Sequence, residues 1–250
     1  MEIYLTSIFF LFGSVFGSFF NVVGLRIPKN LPFHNDRSYC PRCKQQLKWY
    51  ELIPIISYVV QRAKCRNCDT YISPIYPIIE AFTGFLFAFS FMKIGYEVEL
   101  VTALFFVSML VIIFVSDITY MVIPDKVLLF FLPFVILMRI LSPLTPWHDA
   151  IIGSVVGFGL IVLIIIVSQG GMGAGDMKLF GVIGIVLGWK NVLLTFFIAA
   201  FLGAIIGGIL MLVNKVKKKQ PIPFGPYIVV GALVSYFYGE QIISLYLSFF

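Results

Sequence analysis

Long apolar segments recur along nearly the whole chain. A helix needs about 20 apolar residues to cross the hydrocarbon core of a bilayer, and eight segments reach or approach that length. Hydrophobic residues make up 60% of the 250-residue chain and charged residues only 12%, whereas a soluble domain carries about 25% charged residues. The sequence therefore predicts an all-α, polytopic membrane protein and excludes a soluble enzyme. The eight segments are residues 3–25, 74–92, 100–116, 127–141, 150–168, 177–189, 192–213 and 227–250.

The basic residues indicate how these segments cross the membrane. Segment 177–189 is short enough to form a re-entrant hairpin, but that arrangement would move the lysines of segment 214–226 to the opposite side. With eight crossings, 15 of the 18 Lys and Arg residues fall on one side. Cytoplasmic loops are rich in Lys and Arg, so we predict eight transmembrane helices with both termini outside. Because the basic residues of a membrane protein gather in its cytoplasmic loops, these loops explain the net charge of +6. We therefore predict no nucleic-acid partner.

The polar segment 26–73 contains all four cysteines, arranged as two C-x-x-C pairs. Cys40 and Cys43 form the first pair, and Cys65 and Cys68 form the second, with 21 residues between them. Two such pairs complete the tetrahedron of a structural zinc site, and disulfides do not persist in the reducing cytoplasm. We therefore predict a bound zinc ion that folds the loop, with free or redox-active thiols as the alternative.

The stretch between the two pairs, residues 47–54, is apolar with charged interruptions. It contains Trp49 and Tyr50, and these residue types favour the membrane–water interface. The stretch either lies at the membrane surface, with lipid as its partner, or packs inside the zinc-binding loop. The sequence leaves both arrangements open.

Two aspartates lie at the ends of apolar segments, where charged residues are rare and usually functional. Asp117 follows segment 100–116, and Asp176 follows the glycine-rich stretch 170–175. The topology puts both on one side, so they can meet and share a proton, as in aspartic proteases. The alternatives are a helix cap at Asp176 and a proton or ion pathway. Glu80 lies deeper, within segment 74–92, as a hydrogen-bond or charge partner.

The motifs in the first half of the chain resemble the type IV prepilin peptidase family, including its competence-type members. Residues 16–28 are similar to the N-terminal signature of that family. The two cysteine pairs enclose residues 49–54, Trp-Tyr-Glu-Leu-Ile-Pro, which are similar to a family segment, and residues 72–80 resemble the end of the family's cytoplasmic loop.

The second half of the chain continues the resemblance in the same order. Asp117 and the Pro124-Asp125 pair match the D-x6-P-D pattern, whose first aspartate is catalytic in the family. Residues 173–176, Gly-Ala-Gly-Asp, match the G-x-G-D motif, whose aspartate is the second catalytic residue. The resemblance thus implies catalytic roles for Asp117 and Asp176. It implies supporting roles for Gly173, Gly175, Asp125, Lys178, Phe224, Gly225 and Pro226.

The function implied by this resemblance is that of a membrane aspartic endopeptidase. The enzyme would lie in the bacterial cytoplasmic membrane, with its active site facing the cytoplasm. Its substrates would be prepilins or pseudopilins, which serve pilus assembly, secretion and competence. Their short basic leader ends in glycine before an apolar helix, and cleavage would follow that glycine. A proton- or ion-coupled transporter that uses intramembrane carboxylates is the alternative function.

Many family members also methylate the new N-terminus with S-adenosylmethionine. The family commonly has Gly-Lys before the third cysteine, whereas this chain has Ala63-Lys64, and this departure concerns methylation rather than proteolysis. The resemblance implies a domain order of a first helix (1–25), a zinc-binding, methyltransferase-type loop (26–73) and a peptidase core with seven further helices (74–250). The candidate methyltransferase residues are Asn21, Arg26, Lys64 and Glu80.

Overall fold

The fold is all-helical over the residues that the computed structural model describes, which are 2–31, 38–40, 42–213 and 222–249. Six helices are long and apolar enough to cross a membrane, and within the described residues β-structure is limited to two isolated bridges. The prediction of an all-α membrane protein is therefore confirmed. His34, Arg37 and the lysines at 215 and 217–219 lie outside the described residues. The helices are α1 Glu2–Arg26, α2 Ile56–Val60, α3 Ile75–Ile94, α4 Val98–Tyr120, α5 Asp125–Leu141, α6 Asp149–Val167, α7 Ala174–Leu212 and α8 Gly225–Leu247.

Helix α7 accounts for two of the eight predicted segments because it folds back at Gly188. The backbone of Gly188 has φ 76° and ψ 174°, which is not helical. The rings of Phe180 and Phe196 lie 6.1 Å apart, although 16 residues of straight helix would separate them by about 24 Å. The halves 174–187 and 189–212 are therefore antiparallel, and we name them α7a and α7b.

Arg139 stabilises the point at which α7a ends. Its Nη2 and Nε donate hydrogen bonds to the Val186 carbonyl at 2.8 and 3.1 Å. The last carbonyls of a helix have no partner inside the helix, and no water is present in a bilayer core to satisfy them. The guanidinium, only 9% exposed, supplies that partner. A buried arginine near a helix end is therefore part of how the chain reverses direction.

The path of α7a along α6 supports a full crossing rather than a re-entrant hairpin. A Cβ placed on Gly157 would contact the Phe180 backbone, and a Cβ placed on Gly153 would contact Gly184 and Gly188. The two helices thus run side by side and antiparallel at Gly153 and Gly157 of α6, which has the length and composition of a membrane span. Gly153 and Gly157 are small residues at four-residue spacing, and such residues allow helices in a membrane to approach closely.

The chain forms two compact units, Met1–Val115 and Ser116–Phe250, and their boundary lies inside α4. In the first unit α1 packs on α3 through two glycines. A Cβ on Gly17 would lie 2.9 Å from the Glu80 Cα, and a Cβ on Gly13 would lie 2.8 Å from the Phe87 Cβ. These glycines therefore set the distance between the two helices. The functional division at residues 25 and 73 stays a prediction.

Candidate active site

Asp117 lies in the last turn of α4 and is 6% exposed. Its Oδ2 accepts a hydrogen bond of 2.7 Å from the N–H of Gly225, the first residue of α8. The first N–H groups of a helix have no partner inside it, and the positive end of the helix dipole favours negative charge nearby. The start of α8 is therefore a complementary environment for this carboxylate.

Glycine at position 225 is required by this contact. A Cβ at Gly225 would lie 2.6 Å from Asp117 Oδ2 and 2.8 Å from Asp117 Cβ, so any side chain would displace the aspartate. Pro226 follows in the first turn of α8, where a missing N–H costs nothing. Phe224 packs its ring 6.1 Å from that of Tyr227. The structure thus brings all three late-motif residues to Asp117 or to the helix start that binds it.

Asp176 occupies the third position of α7 and is 8% exposed. Its Oδ2 accepts a hydrogen bond of 3.0 Å from the Gly173 N–H, so the aspartate does cap its own helix. A Cβ on Gly175 would lie 3.0 Å from the Ile123 Cβ, which brings the start of α7 against the turn after α4. The helix-capping interpretation and a catalytic position are therefore compatible at this residue.

The turn that joins α4 to α5 is fixed by groups next to Asp117. The Ser116 hydroxyl donates a hydrogen bond to the Val122 carbonyl at 2.5 Å, and the Met121 N–H donates to the Asp117 carbonyl at 2.8 Å. Ser116 is fully buried. The sequence did not identify it as a site residue, because the only signal was its position next to Asp117. It positions the segment against which Gly175 packs.

The two aspartates both belong to the second unit. Both are buried, and each uses Oδ2 to accept one backbone N–H at a helix N-terminus. The two carboxylates are thus bound in the same way, each by the backbone at the start of a helix.

Asp125 and Lys178 form an ion pair on a different face of α7. Lys178 Nζ lies 2.6 Å from Asp125 Oδ2, and both side chains are about half exposed. Because residues two apart on a helix point about 200° from each other, Lys178 faces away from Asp176. The pair lines a groove of about 340 Å³ between α5, α6 and α7a. The structure therefore does not bring these two predicted supporting residues to the aspartates.

The four cysteines of the first unit converge on one point. The Sγ atoms of Cys40 and Cys68 lie 3.8 Å apart, and those of Cys43 and Cys65 lie 3.9 Å apart. A regular tetrahedron with metal–sulfur bonds of about 2.3 Å requires sulfurs about 3.8 Å apart. The backbone N–H of Gln45 and the Asn67 side chain lower the pKa of the Cys43 thiol to about 6. The cluster can therefore hold a metal ion.

The two cysteine pairs share one backbone conformation. Cys40 donates its N–H to the Gln45 carbonyl at 2.9 Å, and Cys65 donates to the Thr70 carbonyl at 2.9 Å. In each pair the residue four positions after the first cysteine, Lys44 or Asp69, donates its N–H to the carbonyl of that cysteine. The repeated turn explains why the C-x-x-C spacing presents two sulfurs on the same side.

The candidate methyltransferase residues lie in two places. Asn21 is 1% exposed, and its Nδ2 donates to the Tyr76 carbonyl at 3.3 Å, while Glu80 Oε2 accepts the Ile55 N–H at 2.8 Å. Both therefore lie at the α1–α3 contact. Lys64 lies directly before the second cysteine pair, with its Nζ 5.2 Å from the centre of the Tyr71 ring, and Arg26 ends α1.

Two known protein-family models together match most of the chain. Residues 11–94 match the bacterial peptidase A24 N-terminal domain, and residues 104–208 match the type IV leader peptidase family. A prepilin leader peptidase/N-methyltransferase of Bacillus subtilis is 43% identical over 97% of this chain and 98% of its own length. The chain belongs to the type IV leader peptidase family. The resemblance stated from the motifs is confirmed.

More distant members of the type IV leader peptidase family align over the same extent. Proteins of the same name from Aeromonas salmonicida and Pseudomonas aeruginosa are 30% and 28% identical, over 97% and 96% of this chain and 94% and 92% of theirs. No solved structure matches the chain. The protein is thus a multi-pass membrane peptidase. Both aspartates lie within residues 104–208, and all four cysteines lie within residues 11–94.

Replacing Gly225 by alanine tests whether the approach of α8 positions Asp117. The added methyl group would overlap the carboxylate, so we expect a loss of about 1–3 kcal/mol in the free energy of unfolding. A displacement of the carboxylate near 1 Å also lowers peptidase activity about 10²-fold. Thermal unfolding in detergent and the cleavage rate of the purified variant measure both effects.

Gly208→Ala is the matched control, because a Cβ at Gly208 meets no atom within 4 Å. The same substitution in this open position of α7b is expected to leave activity unchanged and to stabilise the helix by up to about 1 kcal/mol. Wild-type activity in Gly225→Ala would contradict the positioning of Asp117 by α8.

Proposed function

We propose that this chain is an aspartic endopeptidase that removes the leader from type IV prepilins or pseudopilins at the cytoplasmic face of the membrane. The observation that carries the proposal is that Asp117 and Asp176 are both buried and each accepts a hydrogen bond from a backbone N–H at the start of a helix. Both also lie within the residues that match the peptidase family. The names of the relatives, which state prepilin leader peptidase activity, support the substrate class.

The two aspartates would divide the roles of base and acid. The ionised carboxylate takes a proton from a water molecule, and the water oxygen attacks the carbonyl carbon of the scissile peptide. The protonated carboxylate donates its proton to the carbonyl oxygen, which gives a neutral tetrahedral intermediate. When that intermediate collapses, the C–N bond breaks and the leaving nitrogen receives a proton from the protonated carboxylate. One hydroxyl of the intermediate gives its proton to the other carboxylate as the C=O bond re-forms, which restores one ionised and one protonated aspartate. Burial strengthens each of these interactions by lowering the local dielectric constant.

A glycine at the end of the leader suits this chemistry. The carbonyl groups inside a helix are hydrogen-bonded, and a bilayer core offers no water to replace that bond. Glycine is a poor helix former, so it keeps the scissile peptide outside the apolar helix that follows. We therefore propose that cleavage takes place directly after this glycine, before the substrate helix begins.

A second activity, N-methylation, is proposed for the first unit, because the relatives are also named N-methyltransferases. S-adenosylmethionine would supply the methyl group. S-adenosylmethionine is positively charged and carries hydrogen-bond donors, so the oxygens of Asn21 and Glu80 would suit its binding. The Asn21 Oδ1 is buried and accepts no hydrogen bond among the described residues, and the Glu80 carboxylate lies one helical turn from the Tyr76 carbonyl that binds Asn21. Because this chain has Ala63 where the family commonly has glycine, methylation is to be measured separately from cleavage.

We propose zinc as the metal of the cysteine cluster. Four thiolates in tetrahedral positions are typical of structural zinc sites, and they leave no coordination position open for substrate. The ion would therefore stabilise the fold of the loop rather than take part in peptide cleavage. The short Sγ–Sγ distances between the two pairs support this assignment.

A proton- or ion-coupled transporter is the alternative function. Transporters of that kind bind their coupling ions near the bilayer midplane, at broken helices. Asp117 and Asp176 instead occupy the last turn of α4 and the first turn of α7. Their place at helix ends and the family membership favour the peptidase.

Replacement of either aspartate by asparagine is expected to abolish cleavage. The amide keeps the size of the side chain but cannot exchange a proton with water, and loss of general acid–base catalysis costs at least about 10²–10⁴-fold in rate. Incubation of purified Asp117→Asn or Asp176→Asn with a prepilin, followed by mass spectrometry of the product, measures the loss.

Glu99→Gln provides the matched control for this experiment. It removes a carboxylate from the first turn of α4, at the opposite end of the helix from Asp117, and we expect it to cleave prepilin at the wild-type rate. Complete leader removal by either aspartate variant would rule out the two-aspartate mechanism, while the gain of a methyl group on the product reports methylation separately.

The zinc proposal predicts about one zinc ion per chain in the purified protein. Cys43→Ser and Cys65→Ser, which each remove one thiolate, are expected to lower the zinc content and to increase proteolysis of the loop. Mass spectrometry of metals measures the first effect and limited digestion the second. Thr70→Val alters a residue beside the second pair without removing a ligand and should keep its zinc. Wild-type zinc content in both cysteine variants would refute the four-cysteine site.

A further inference from the structure

The loop between α1 and α3 exposes apolar side chains on two short helices. These are the 3₁₀ helix Trp49–Leu52 and α2, which contact each other. In a 3₁₀ helix residues three apart share a face, and in an α-helix residues three and four apart do so. Each short helix therefore has one apolar face that points outward. We name this set the loop apolar surface, and its members are Trp49, Leu52, Ile56, Val59 and Val60, which are 78%, 41%, 59%, 67% and 63% exposed.

This surface is not part of the core of the cysteine-containing loop. The sequence allows residues 47–54 either to pack inside that loop or to lie at the membrane surface, and the exposure of Trp49 excludes packing inside it. A cluster of large apolar side chains exposed together usually marks an interaction site, so we expect a partner to cover the loop apolar surface.

A hydrogen bond holds α2 beside the N-terminal end of α3. Ile55, directly before α2, donates its N–H to Glu80 Oε2 at 2.8 Å. Glu80 lies five residues, or about 7.5 Å, from the start of α3, which has the length and composition of a membrane span. The backbone of Ile55 has φ 62°, a region that β-branched residues rarely adopt, and the Glu80 carboxylate stabilises it. α2 therefore lies within reach of the bilayer surface.

The charges of the loop complement anionic lipid headgroups. The segment 27–74 contains eight basic and three acidic residues. Lys48 directly precedes the 3₁₀ helix, and Arg62 follows α2 by two residues; both are exposed. Basic residues beside a membrane attract anionic lipids, and tryptophan favours the level of the headgroups. Apolar, aromatic and basic groups thus occur in the combination typical of interfacial helices.

We propose that the loop apolar surface inserts into the interface of a bilayer containing anionic lipid, with Trp49 at headgroup level and Lys48 and Arg62 bound to lipid phosphates. This contact anchors the cysteine-containing loop to the membrane between its two flanking helices. It does not depend on the proposed peptidase activity, and it assigns a role to residues outside the aspartate site.

Tryptophan fluorescence of the full-length protein in lipid nanodiscs tests this proposal. Trp147→Phe and Trp189→Phe leave Trp49 as the only one of three tryptophans. In nanodiscs of phosphatidylcholine and phosphatidylglycerol, we expect lipids brominated near the headgroup end of the acyl chain to quench Trp49. Acrylamide, a quencher dissolved in water, should quench it weakly. Lys48→Gln or Arg62→Gln should shift the ratio of inserted to free surface about fivefold toward the free form.

Two controls separate the surface from the rest of the loop. A tryptophan at the exposed position Gln45, in a background without other tryptophans, should respond to acrylamide and not to brominated lipid. Lys44→Gln removes the same charge outside the surface and should leave Trp49 quenching unchanged. Equal bromine quenching at position 45 would contradict a localised surface. Strong acrylamide quenching of Trp49, or its protection from both quenchers by covering protein, would overturn the proposal.

Discussion

The hydrogen bond between the Gly225 N–H and the Asp117 carboxylate joins residues 108 positions apart in the chain. A charge buried among apolar helices is unstable unless hydrogen-bond donors surround it. The unpaired N–H groups at a helix start are such donors. The contact between the last turn of α4 and the start of α8 meets this need for Asp117, whereas Asp176 takes its N–H from Gly173 at the start of its own helix.

Glycine makes this arrangement possible by removing side chains where backbones must approach. Gly225 allows α8 to reach Asp117, and Gly175 allows the start of α7 to reach Ile123. Gly188 has a different part, since its positive φ lets α7 reverse direction. The reversal returns the chain along α7b to the end of the unit at which α8 begins. A helix continuing straight through position 188 would leave no such return.

The cysteine-containing loop of the first unit is stabilised in another way. Among its described residues only Cys40 and Cys65 are buried, and the four cysteine sulfurs lie at tetrahedral distances. The five residues of the loop apolar surface face outward on two short helices. A metal ion inside and a lipid surface outside would together supply the stabilisation that a larger domain obtains from packing. The Glu80 carboxylate connects the two features, because it fixes the backbone from which α2 begins.

The sequence by itself determined the membrane environment, the all-helical fold and the family. Apolar segments of fixed length predict the membrane spans because the bilayer has a fixed thickness, and the C-x-x-C and G-x-G-D spacings place ligands and carboxylates through local turns alone. Only the tertiary structure decided which groups meet. The bond from Gly225 to Asp117, the cap from Arg139 to Val186 and the contact from Glu80 to Ile55 each join distant segments. The structure also pairs Lys178 with Asp125, at the start of α5, on the face of α7 that points away from Asp176. No local pattern encodes such contacts, since they depend on how helices approach one another rather than on how each helix forms.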